Sequence, residues 1–286
     1  MTVCVGVAVH DCLVLAADSA STLVDVDPAT GQSRALNVYR HGNKVFNLHR
    51  KLPIAAMTCG IGNLGAASIG TLAKDLRQRL MGGNAQWKLD PKAYTIDNVA
   101  QKARRFLFDE CFATLQPVPP APHSLEFWVG GYGSDRSRGH DVWKIEIVNG
   151  QCAPPLAVLT GGATGLFVGG QTDPINRLVA GFDRALIDHL IAAGIDAQSA
   201  TNLVAFLRPR LEVSILAPMM PVQDAIELAD FLSDTTKSYY RFLPGADIVG
   251  GETDIAVVTK HEGFKWIKRK HYYPAHLNPL ETDHAE

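Results

Sequence analysis

The sequence has no run of eighteen or more apolar residues, so no segment is long enough to cross a bilayer as a helix. It also lacks the basic opening of a secretory signal. Thr2 to Ala17 is mostly apolar, but His10-Asp11 interrupts the run, and a buried β-hairpin is the better reading. Neither sign of charge is in excess: 27 Lys and Arg stand against 29 Asp and Glu, a net −2. No basic face is imposed, so nucleic acid is not an expected partner, and neither is a membrane. No two of the five cysteines (Cys4, Cys12, Cys59, Cys111 and Cys152) form a CxxC pair, which argues against zinc sites of the common spacings. No cofactor or metal is therefore expected. An odd number of scattered thiols suits a reducing, cytoplasmic setting.

What the chain does have is 286 residues, 47% of them hydrophobic, enough for one large core. It shows no internal repeat and no convincing boundary. We read a single domain over residues 1–275 and a polar tail over 276–286.

Val3 to Val9 and Leu13 to Ala17 are β-branched or apolar runs around His10-Asp11, a hairpin covered on both faces. Asp18 to Arg40 turns polar, with a turn signal at Asp27-Pro28-Ala29-Thr30-Gly31. Short strands follow at Lys44 to Leu48 and Pro53 to Thr58. Gly60-Ile61-Gly62-Asn63 then opens a helix striped by Leu64, Ile69, Leu72, Leu76 and Leu80. A second amphipathic helix is expected over Thr95 to Leu115, followed by a stiff Pro-rich connector, Pro117 to Pro122. Strands resume at Leu125 to Val129, Val142 to Val148 and Gly161 to Val168. Helices are expected over Asp173 to Ala193, Ala197 to Arg208, where Pro209 should end the second, and Pro221 to Phe242. Thr253 to Thr259 and Phe264 to Lys268 make a last hairpin. Strand runs and helix runs are segregated, which disfavours a Rossmann or TIM architecture. Two packed sheets with helices outside each would cover such strands, giving an α+β fold arranged as a four-layer αββα sandwich.

The chemistry is concentrated near the start. If Met1 is removed, Thr2 carries a hydroxyl and a free α-amine, so one residue supplies both nucleophile and base. Asp18 is its candidate neighbour, but the hairpin register is open. A three-residue loop puts Thr2 opposite Asp18, whereas a two-residue loop pairs Thr2 with Ser19 and turns Asp18 to the other face. Lys44 falls on the face of Phe46 and Leu48 by alternation, and a lysine there needs a carboxylate such as Asp18. Gly60 lies between a strand and a helix, where a backbone N–H can approach a substrate carbonyl and stabilise an oxyanion; Gly62 is its rival.

Taken together, these stretches resemble the proteasome β-subunit family. Thr2-Val3-Cys4-Val5-Gly6-Val7 with Leu13-Val14-Leu15-Ala16-Ala17-Asp18-Ser19 resembles its opening hairpin. Asn43-Lys44-Val45-Phe46 resembles its lysine strand, and Met57-Thr58-Cys59-Gly60 its substrate-binding segment. Phe167 to Thr172 and Val249 to Val257 resemble later segments, in the right order. Leu125 to Tyr132 and Asp173-Pro174-Ile175-Asn176-Arg177 are more similar to bacterial proteasome-like proteins, including the ancestral-β-subunit (Anbu) group.

The resemblance implies an N-terminal nucleophile hydrolase fold and a threonine peptidase with Thr2 as nucleophile and its α-amine as base. It implies Asp18 and Lys44 as the supporting pair, Gly60 as oxyanion donor, and substrate contacts from Ser19, Ala20, Gly60 and Gly62. The expected partners are a peptide or unfolded-protein substrate and copies of the same chain in a ring or related assembly; an ATPase partner is left open. Three positions depart from the family pattern. Ala20 replaces an arginine, Gly169 or Gly170 replaces a serine, and of a late aspartate and serine that fall near Ala246 or Asp247 and Val249 the serine is missing. These departures favour a second reading, a non-catalytic assembly subunit; a third, an amidase acting on small amides with the same nucleophile, differs from the peptidase in pocket width.

Overall fold

The structure is a computed structural model that describes residues 2–26, 33–119, 122–244 and 249–270. Met1, the turn expected at Asp27–Gly31, Ala246 and Asp247, and the tail 276–286 lie outside the described residues.

The chain is a mixture of helices and antiparallel sheets. It begins β1 (Val3–Val9), β2 (Cys12–Ala17), β3 (Ser21–Val26), β4 (Ser33–Tyr39), β5 (Val45–Asn47), β6 (Ile54–Gly60), β7 (Asn63–Leu64) and β8 (Ala67–Ser68). Helices α1 (Ile69–Met81) and α2 (Ile96–Arg104) come next, α2 running on as a π-helical segment, Arg105–Phe112. Then follow β9 (Ser124–Tyr132), β10 (His140–Val148), β11 (Gln151–Cys152), β12 (Leu156–Leu159) and β13 (Gly165–Gly170). The chain continues through α3 (Asp173–Val179), α4 (Leu186–Ala192), α5 (Ala197–Leu211), α6 (Val222–Phe242), β14 (Asp254–Thr259) and β15 (Gly263–Lys268).

Two sheets carry the core. One has the order β13-β1-β2-β14-β15; the other has β11-β10-β9-β6-β5, with β12 also on β10. Every residue of β1 and β2 is buried, as expected of strands covered on both sides. Their alternate residues enter different cores. Val3, Val5, Val7 and Val9 pack with Ile175 of α3 and Ala225, Ala229 and Leu232 of α6. Cys4, Ala8, Leu13 and Leu15 pack instead with Met57 and Trp128 of the second sheet. The other side chains of that sheet, among them Phe46, Ile54, Phe127 and Ile145, pack with Leu72 and Leu76 of α1 and Val99 and Ala103 of α2.

Several elements differ from the sequence reading, each for a local reason. The helix expected from Gly60 starts only at Ile69, because residues 63–68 turn at Gly65 as a small hairpin and the Ser68 hydroxyl then accepts the Thr71 N–H at 3.1 Å. The polar stretch after Asp18 forms the β3–β4 hairpin. The long helix expected over Asp173 to Ala193 is two short ones, broken where Gly181 takes φ +79°. Pro209 does not end α5, which runs to Leu211; so near the C-terminus it removes little of the helical ladder.

Two buried histidines make the fold sensitive to acid. His49 Nδ1 accepts the N–H groups of Lys51 and Leu52, both at 3.1 Å, holding the turn between β5 and β6. Burial pushes the pKa values of His49 and His140 below the ordinary 6.5. The unfolded chain therefore takes up protons that the folded chain refuses, so stability is full above pH ~6.5 and is lost as the pH falls. Urea midpoints measured from pH 8 to pH 5 should fall below pH ~6.5, less steeply in a His49→Gln protein. Leu15 is buried between the sheets. Leu15→Ala should cost about 2–5 kcal/mol in the same denaturation experiment.

Candidate functional site

The site is built on the β1–β2 hairpin. Val9 pairs with Cys12 and Cys4 with Ala17, so His10-Asp11 forms a two-residue connection. Continued by one pair, this register sets Asp18 opposite Val3. A regular strand would then turn Asp18 away from Thr2, but β2 ends at Ala17 and the carboxylate stays in the ladder. The Asp18 N–H donates to the Val3 carbonyl at 3.2 Å, while Asp18 Oδ1 accepts the Val3 N–H at 3.0 Å. The side chain thus supplies the acceptor that a backbone carbonyl would otherwise give. It holds the Thr2–Val3 peptide directly.

The same carboxylate collects three further donors. Its Oδ1 accepts the Lys44 ammonium at 2.7 Å, and its Oδ2 accepts the N–H groups of Ala20 at 3.1 Å and Gly250 at 3.0 Å. Asp18 is 1% exposed and Lys44 7%, so both charges are largely withdrawn from bulk water. Such a pair persists in a core only if its desolvation is offset by good geometry and satisfied hydrogen bonds. Lys44 also donates to the Ala20 carbonyl. Lys44 precedes β5, so the alternation that grouped it with Phe46 and Leu48 does not govern it. Those two pack with the helices of the second sheet, while the Lys44 ammonium reaches Asp18 on the first.

Thr2 and Lys44 line one cleft of about 1000 Å³, together with Gly60, Gly62 and Glu126. Thr2 is 5% exposed, and its carbonyl accepts the Gln171 N–H at 2.7 Å. Gly170, at φ +75°, lets β13 come this close, since a Cβ there would fall 1.9 Å from the Thr2 oxygen. Gly60 takes φ +99° where β6 ends, and a Cβ there would meet the Ser124 carbonyl at 2.1 Å. The sequence therefore needs glycine at both positions for backbone to meet backbone.

Ser19 and Ala20 do not line this cleft. Both are buried, and the Ser19 hydroxyl is taken by the Glu252 carbonyl and by Lys270, at 3.1 Å from the latter. The residues of this segment that face the cleft are Ser21 and Thr22. Ser19 and Ala20, expected from the resemblance to contact substrate, are instead turned inward, where their N–H groups donate to the Gly250 carbonyl at 3.1 and 2.9 Å.

A second buried ion pair braces the first. Lys270 Nζ lies 2.6 Å from Asp254 Oδ2 and donates to the Gly42 carbonyl at 2.8 Å as well as to Ser19. Sequence reasoning did not single out either residue. Asp254 left a trace, as a charge opening an otherwise apolar strand; Lys270, in the basic run Lys268-Arg269-Lys270, left none. No group of His, Cys, Asp and Glu that could hold a metal occurs among the described residues, and no helix there is long and apolar enough to cross a membrane.

No protein-family model matches the chain, and no curated protein matches it either. Replacing Lys44 tests the electrostatic account directly. Lys44→Ala leaves the buried Asp18 with three amide donors and no cation, and should cost about 3 kcal/mol in denaturant unfolding, the low end for breaking a buried pair. Asp18→Asn combined with Lys44→Ala should cost less than the sum of the two single changes.

Proposed function

We propose that this chain is an N-terminal threonine peptidase of the proteasome β-subunit type, acting once the polypeptide is cleaved ahead of Thr2. The observation that carries the reading is the single oxygen of Asp18 that binds both the Val3 N–H, at 3.0 Å, and the Lys44 ammonium, at 2.7 Å. That arrangement fixes the first peptide of a mature chain beside a cation, on the wall of a cleft.

In the proposed reaction the Thr2 Oγ attacks a peptide carbonyl and gives its proton to its own α-amine, directly or through a water. The Lys44 charge favours the alkoxide-like character of the attacking oxygen. The backbone N–H at Gly60 stabilises the oxyanion of the tetrahedral intermediate. Collapse breaks the C–N bond, the leaving amine takes the proton, and an ester on Thr2 remains. Water then hydrolyses that ester, with the α-amine as base, and restores the hydroxyl.

The three hydrophobic cores fit a four-layer αββα sandwich of the N-terminal nucleophile hydrolase type, with α3 and α6 outside one sheet and α1 and α2 outside the other. We extend the proposal to a single domain over residues 1–275, a cytoplasmic setting and self-association. Exposed Phe231 and Phe242 on α6 support self-association. A cleft of about 1000 Å³ suits an extended peptide or unfolded segment better than a small amide. A second reading, a non-catalytic assembly subunit, is favoured by Gly169, Gly170 and Val249, which offer no side-chain polar group where the family has a serine.

Mass spectrometry of protein beginning at Thr2, with and without a peptide epoxyketone, separates these readings. An adduct of one inhibitor per chain, absent from Thr2→Ala, is expected. Hydrolysis of fluorogenic peptides should fall at least about a thousand-fold in Thr2→Ala. Free Thr2 that gives neither adduct nor turnover would favour the assembly subunit.

A further inference from the structure

The cleft contains a carboxylate that this chemistry does not use. Glu126 lies on β9 between Leu125 and Phe127, which pack toward the helices, so its own side chain faces the other way, with Trp128. Cys59 of β6 is its cross-strand neighbour, and the Cys59 thiol donates to Glu126 Oε2 at 3.3 Å. On the other flank Glu146 of β10 sits directly opposite, two like charges in register. Lys144 lies between them, 3.7 Å from Glu126 Oε1 and 3.3 Å from Glu146 Oε1. One ammonium thus serves two carboxylates, and the cluster keeps a formal charge of −1.

The carboxylate also faces the place where chemistry is proposed. Gly169 and Gly170 are consecutive on β13. A Cβ on Gly170 would strike the Thr2 carbonyl, and a Cβ on Gly169 would lie 2.9 Å from Glu126 Oε2 and 2.0 Å from the Trp128 ring. The absence of a side chain at 169 leaves the Glu126 carboxylate open to the cleft, one residue along the strand from the contact with Thr2. Its cross-strand partner, Cys59, directly precedes Gly60, the proposed oxyanion donor. Burial raises the Glu126 pKa, and Lys144 only partly opposes this. A carboxylate in that condition is more easily ionised when a further cation arrives.

From this geometry we infer that Glu126 is a specificity-determining residue that receives the cationic side chain of a lysine or arginine next to the scissile bond. The substrate class is therefore basic peptides, and this choice of substrate rests on the peptidase reading. The other cations of the cleft wall do not forestall it. Lys44 is held by Asp18, Arg184 lies 3.3 Å from the Thr172 hydroxyl, and the exposed Lys74 is on α1.

The test has two arms. In the first, protein beginning at Thr2 is given matched fluorogenic peptides with arginine, leucine or glutamate before the reporter. The arginine peptide should be preferred at least tenfold in kcat/KM over leucine, and the arginine-to-leucine ratio should collapse toward one in Glu126→Gln. In the second arm, binding of agmatine, a dication, and of an uncharged control of similar length, pentanol, is measured by calorimetry on the unaltered protein and on Glu126→Gln. Agmatine alone should bind, and only while Glu126 is present. Turnover without an arginine preference would overturn this inference and leave the peptidase reading standing. Glu126-dependent agmatine binding without any turnover would keep the cation site and sink the peptidase. A failure of the unaltered protein to bind agmatine would overturn the inference whatever the kinetics show.

Discussion

The site depends on one buried carboxylate. Asp18 accepts four donors, the N–H groups of Val3, Ala20 and Gly250 and the ammonium of Lys44, and each comes from a different part of the chain. An ionised carboxylate removed from water carries a penalty of several kcal/mol, which charge-assisted hydrogen bonds must offset. All four donors meet at one point only when β1, β2, the segment before β5 and the segment before β14 are folded together. The same interaction that makes the core tolerable therefore positions the first residues of the chain.

The Lys270–Asp254 pair extends this logic. It reaches Ser19 and Gly42, neighbours in sequence of Asp18 and Lys44, so the two ion pairs hold the same two segments of the chain. This explains why Ser19 and Ala20 face inward. Their N–H groups and the Ser19 hydroxyl meet buried partners. A buried polar network of this kind works only when every member is satisfied.

Around that fixed centre the cleft is shaped by what is missing. Gly60, Gly169 and Gly170 bring backbones within reach of one another and leave the carboxylate of Glu126 uncovered. In the proposed peptidase the same three positions would serve the oxyanion, the substrate side chain and the nucleophile's carbonyl. A serine at 169 or 170, which the family resemblance would call for, has no room at either position. Its absence here has a steric cause as well as a chemical consequence.

The sequence alone was enough to identify the hairpin, most strand positions, the amphipathic faces of α1 and α2, and Thr2, Asp18, Lys44 and Gly60 as a group worth testing. These signals are local: β-branched runs, the 3.6-residue period, and charged residues at the edges of apolar strands. It left the hairpin register open, because two- and three-residue turns suit the same residues, and it gave no sign of Lys270, two of whose partners lie 251 and 228 residues away. Substrate contacts from Ser19 and Ala20 came from the family resemblance alone, since strand alternation says nothing about a chain that has left its strand. Tertiary structure decided those points, since a buried charge selects its neighbours by distance in space, and one-dimensional spacing does not encode that distance.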